Sequence, residues 1–89
     1  MGENSLGHGQ SFVSDNRLIK RWLHKAEKSA KSNPNDIKTV TDLILQALNH
    51  DFKIQQNLVL RVEKLVNKEE FAAACVFSNS AIRAISTKN

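Results

Sequence analysis

Cysteine is nearly absent from these 89 residues: Cys75 stands alone, so no intramolecular disulfide can form and nothing ties the chain to an oxidising compartment. Proline occurs once, at Pro34, and the three glycines, Gly2, Gly7 and Gly9, all lie near the start. With no glycine after them, no glycine-rich loop is available to cradle a phosphate. Tyrosine is missing and Trp22 is the sole tryptophan, which leaves little material for the exposed stacking platforms that single-stranded nucleic acid needs. No apolar run approaches the roughly 18–20 residues of a membrane helix. Met1 to Val13 lacks the charged-then-apolar layout of a secretory signal, and Leu6 stands where myristoylation wants Ser or Thr. These absences lead us to expect a cytoplasmic protein. An anionic membrane surface is the least favoured partner, because exposed aromatics are scarce.

The rest of the chain has a globular composition, with 40% hydrophobic and 25% charged residues, and a length that suits one domain. A chain this short buries only about 60–65% of its unfolded surface, so self-association would add to a modest core. Residues 1–14 hold few apolar anchors and read as a flexible N-terminal tail, with Phe12 and Val13 placed to staple onto the first helix. Residues 15–89 read as a single helical domain. Leu18, Ile19, Trp22, Leu23, Ala26 and Ala30 recur at helical spacing and predict a first helix from Asn16 to Ser32, with Ser14 or Asp15 as its cap. Asn33, Pro34 and Asp36 look like the cap, first position and first turn of a second helix, whose stripe is Ile37, Val40, Leu43, Ile44, Ala47 and Leu48. Asp51 can cap a third, striped by Phe52, Ile54, Leu58, Val59, Val62, Leu65 and Val66. Leu60 falls off that stripe.

Asn67 and Glu70 are spaced as a capping box for a fourth helix carrying Phe71, Ala74, Cys75, Ser78, Ala81, Ile82 and Ile85 on its inner face. That pattern places Cys75 in the core as a small hydrophobe and leaves Val76 outside. Ser78-Asn79-Ser80 is a candidate break. The expectation is an all-α fold: a small compact bundle of four helices, or five if the chain breaks there, with short connections.

The most informative surface is the outer face of the first helix. Arg17, Lys20, Arg21, His24, Lys25, Lys28 and Lys31 fall opposite the apolar stripe, within an arc of about 140°. From Arg17 to Lys31, six Lys or Arg against Glu27 give +5, so the rest of a chain of net charge +4 carries −1. The basic character is local. Such a row suits an acidic protein surface or nucleic-acid phosphates. The plain alternative is a solvated helix face, with Glu27 and Lys31 as an ordinary i,i+4 pair. We expect a non-enzymatic regulatory or adaptor protein that steers an acidic protein partner with this face and locks it through Trp22, Leu60 or Val76. The alternative is binding of duplex DNA or structured RNA by the same helix, with Gln55, Gln56 and Arg61 as weak material for base readout. Trp22 also reads as a core anchor. The small residues of the fourth helix, with Leu60 and Val76, suggest a homodimer seam.

Chemistry finds little support. Cys75 has no histidine near it in sequence, and His8, His24 and His50 show no metal-ligand spacing. Glu69 and Glu70 sit at a helix start, where they favour the dipole rather than acid–base work. No catalytic, cofactor or metal site is expected.

Overall fold

A computed structural model describes residues 8–88, with side chains from Arg17 to Lys88. It places four α-helices in the order α1 (His8–Ser32), α2 (Ile37–His50), α3 (Gln55–Asn67) and α4 (Phe71–Lys88), with a 3-10 turn at Phe52–Ile54 between α2 and α3. No strand occurs among the described residues. α1 begins at His8 rather than Asn16, so the tail expected over 1–14 overlaps a helix, and Ser14 and Asp15 lie within it rather than at its cap. Once a helix is nucleated, each added residue gains a backbone hydrogen bond, which favours extension past a weak cap. Residues 1–7 lie outside the described residues, as do the side chains of Phe12 and Val13 that the staple requires.

The stripes of α1 and α2 pack as their periodicity requires. Ile19, Leu23, Ala26 and Ala30 are buried on one side, and Val40, Ile44, Ala47 and Leu48 on the other. The connection between them is a β-turn in which the Asp36 amide donates to the Asn33 carbonyl at 3.0 Å. Pro34 takes the second position of that turn, where its fixed φ is pre-set, and not the first position of the helix. Asp36, rather than Asn33, is the N-cap. Its carboxylate accepts from the Thr39 amide at 3.1 Å and the Thr39 hydroxyl at 2.7 Å. Asp51 then works twice: its amide donates to the Ala47 carbonyl at 3.1 Å to close α2, and its carboxylate accepts from the Lys53 amide at 2.9 Å to open the 3-10 turn.

The turn from α3 to α4 is not the expected capping box. The Glu69 amide donates to the Val66 carbonyl and the Glu70 amide to the Leu65 carbonyl, both at 2.9 Å, and Glu69 sits at φ 62°. These are the two bonds of a Schellman motif, with a glutamate in the left-handed position usually held by glycine. Asn67 is therefore the last residue of α3.

α4 runs unbroken through Ser78-Asn79-Ser80 from Phe71 to Lys88, so no fifth helix forms. Ser80 is itself buried, and its hydroxyl lies 3.4 Å from the Ile37 carbonyl at the start of α2. Lys88 donates to the Asn49 side chain at 2.6 Å near the other end, so α2 and α4 run in the same sense. α4 is turned by roughly a third of a revolution from the expected inner face. It buries Ala73, Ala74, Val76, Phe77, Ser80, Ala81 and Ala84 and leaves Phe71, Cys75 and Ile82 exposed. The cause is steric. α4 packs against α1, α2 and α3 at once, and a close approach needs small side chains, with Phe77 alone filling the centre.

Two consequences are measurable. Glu69→Gly removes the left-handed penalty and should stabilise the fold by about 0.5–1 kcal/mol, seen as a higher Tm. Hydrogen bonds from the Thr39 hydroxyl and amide hold the Asp36 carboxyl below its usual 3.8. Its contribution is complete above that value and is lost as pH falls through the lowered folded value. The Tm gap between the parent and Asp36→Ala should therefore be widest near neutrality and should close in strong acid.

Candidate interaction surface

Burying the apolar stripe of α1 forces the opposite side of the helix into water. Arg17, Lys20, Arg21, His24, Lys25, Lys28 and Lys31 are all exposed, along one side of α1. The carboxylate expected among them is elsewhere. Glu27 is only 5% exposed and faces inward, where it accepts a hydrogen bond from the half-buried guanidinium of Arg61 on α3. The expected Glu27–Lys31 pair is thus replaced by a link between two helices. Lys31 instead lies 3.5 Å from Glu70 at the start of α4, an ion pair too long to be a well-formed hydrogen bond. With Glu27 withdrawn, cations on the face stand next to cations, and like charges a turn apart repel unless an external anion meets them.

The face continues onto α3. Lys20 and Leu23 of α1 and Asn57, Leu60, Arg61 and Lys64 of α3 line a shallow cleft of about 330 Å³. Leu60 is 61% exposed in it, an apolar side chain with the ammonium groups of Lys20 and Lys64 on the same rim. The sequence pattern does not single out Lys64. Its relation to Lys20 depends on how α1 and α3 cross, and no local spacing records that.

The other expected contacts divide. Trp22 is half-buried and packs on the core, with its ring 4.8 Å from that of His50 at a 49° tilt, so it closes the open end of the α1–α2 pair while keeping one edge in water. Val76 is 7% exposed and belongs to the core, which removes it from any outer surface. Cys75, expected inside, is exposed. Of the candidate base-reading residues, Arg61 is engaged by Glu27, and Gln55 lines a groove on the α4 side of α3, away from the cleft. Arg61 thus shares the cleft with Lys20, whereas Gln55 faces the other groove. His8 lies outside the described side chains, and among the described residues no group of three His, Cys, Asp or Glu is placed to hold a metal ion. Among them, no helix is long and apolar enough to cross a membrane.

No family model, curated protein or solved structure matches the chain.

The inward Glu27 yields a direct test. Arg61→Ala leaves a buried carboxylate without its partner and should cost about 2–4 kcal/mol, somewhat less than for a fully buried pair because Arg61 keeps some water contact. Replacing both residues by leucine should recover most of that loss in a denaturant titration.

Proposed function

We propose that this chain is a small non-enzymatic adaptor or regulatory protein of the cytoplasm, a compact four-helix bundle that captures an acidic protein partner. The observation that carries the reading is the outer face of α1: seven cationic or titratable nitrogen side chains in water, with the one carboxylate of that stretch turned into the interior. The face supplies long-range attraction and orientation. The adjoining cleft supplies what charge alone does not, an apolar contact at Leu60 in the same cleft as Lys20 and Lys64. An acidic helix presenting one or two apolar side chains meets both requirements. Attraction sets the approach, and burial of the apolar group slows departure.

The same cations would also meet phosphates. The cleft favours protein over nucleic acid, because an exposed leucine gains nothing against a sugar–phosphate backbone. Trp22 contributes by holding the α1–α2 pair and only secondarily as a contact.

The test is the triple reversal Lys20→Glu, Arg21→Glu and Lys28→Glu. All three are exposed, and Lys31 is spared because it pairs with Glu70. Affinity capture from nuclease-treated native lysate should retain a set of proteins on the parent that the reversed variant loses, while far-UV circular dichroism stays unchanged. Leu60→Ala should weaken the same capture about tenfold. Equal capture by the reversed variant overturns the reading. Capture that vanishes on nuclease treatment assigns the face to nucleic acid instead, and binding should then fall steeply with salt.

A further inference from the structure

The guanidinium of Arg61 is held in place yet only partly satisfied. Its Nη1 donates to the buried carboxylate of Glu27. A guanidinium carries more N–H donors than one carboxylate oxygen can take, and among the described residues no second acceptor meets Arg61. The side chain keeps 22% of its surface in water and lines the cleft between α1 and α3. Asn57, Leu60, Arg61 and Lys64 share one side of α3 because they recur at helical spacing, and Lys20 joins them from α1. Lys20 and Lys64 are exposed and have no ion pair among the described residues, and no carboxylate lines the cleft. Glu27 balances Arg61 alone, so both lysines are left unanswered.

We infer that this cleft reads a carboxylate through Arg61: an aspartate or glutamate side chain of the partner takes the free donors of Arg61, with Lys20 and Lys64 about it, while an apolar side chain one turn along the same segment covers Leu60. This rests on the proposed capture of an acidic protein and adds which group of that protein is recognised, and by which residue.

The occupant follows from the chemistry around Arg61. Glu27 already orders the guanidinium, so little side-chain freedom remains to be lost when a ligand arrives. The planar fork of an arginine matches the planar carboxylate. Glu27 also filters by charge, because a ligand on the free donors lies across one guanidinium from that buried carboxylate. A phosphate group brings about −1.5 to −2 charges to that position, so it meets up to about twice the repulsion that a carboxylate meets. Glu27 is thus a positioning residue that favours the singly charged ligand. Leu60, next to Arg61 in the chain and 61% exposed, adds the apolar half of the recognition.

A pair of synthetic peptides tests this. Each is alanine-rich and about 15 residues long, enough for a marginal helix in water. One carries glutamates a turn before and a turn after a central leucine, and the other carries phosphoserines in their place. Titrated into the isotope-labelled full chain at low ionic strength, the glutamate peptide should bind with a dissociation constant below about 1 mM. It should shift the NMR signals of the Arg61 side chain and the Leu60 backbone while leaving those of Arg83 in place. Arg61→Lys keeps the charge but loses the fork, and should weaken binding at least fivefold with unchanged helicity. Lys20→Gln with Lys64→Gln, both at exposed positions, should weaken it at least tenfold without touching the Glu27 pair. Glu27→Gln should move the preference toward the phosphoserine peptide at least threefold, a change in ratio that a purely structural role does not produce.

A parent chain that binds neither peptide at about 1 mM, or prefers the phosphoserine peptide, overturns the inference. So does undiminished binding by Arg61→Lys or by the double lysine variant, or a preference that Glu27→Gln leaves unchanged. Any of these results, combined with partner capture that the Lys20, Arg21 and Lys28 reversal still abolishes, removes the cleft from recognition and leaves the function of the cationic face standing.

Discussion

A carboxylate removed from water must find a positive partner or remain a large cost. Glu27 is in that position, and Arg61, 34 residues away in sequence, meets it. The rotation of α1 about its own axis is set by this pair, because the helix cannot turn without exposing Leu23 or stranding Glu27. So is the place of α3 against α1. The two helices otherwise enclose only a shallow cleft, and the ion pair sits on its edge. The surface chemistry is a by-product of the same contact. Turning Glu27 inward leaves a row of cations along Arg17–Lys31 in which Lys31 alone, among the described residues, has an ion pair, to Glu70. The pair that ties α1 to α3 also takes the carboxylate out of the cationic row.

The two surfaces of the molecule differ in chemistry. α1 is cationic where it meets water. The outer arc of α4 is uncharged, and α3 lies between them with Leu60 and Lys64 on one side and Val59, Val62 and Val66 on the other. Charge acts at long range and selects partners by sign, whereas apolar area acts only on contact and selects by shape. A chain of this size buries too little surface to be generously stable. Covering the apolar face would add stability that the isolated core lacks.

The first two helices are legible because each has one apolar stripe and one charged face, so periodicity alone gives the inward direction. Ile19, Leu23, Val40 and Ile44 are buried where that rule puts them. α4 defeats the rule. Its two sides carry either alanine with Val76 and Phe77, or Phe71, Cys75 and Ile82, and both are uncharged. Hydrophobicity favours burying the larger set. Steric room between α1, α2 and α3 favours the smaller set, and close packing prevails. The same conflict moves Val76 inward and Cys75 outward. At Asp36 and Glu69 the sequence contains the right turn signals, but neighbouring residues compete for each role. The outcome rests on which amides need an acceptor.

By itself, then, the sequence determined the all-helical character, the inward faces of α1 and α2 and the row of cations along α1. Each comes from spacing within a single segment of chain. The tertiary structure decided which way α4 faces, that Glu27 joins Arg61 rather than Lys31, that Leu60 shares a cleft with Lys20 and Lys64 and that an uncharged arc is left in water. Those outcomes depend on distances between segments far apart in the chain, where no local periodicity reaches and only the competition for space and for counter-charge selects the arrangement.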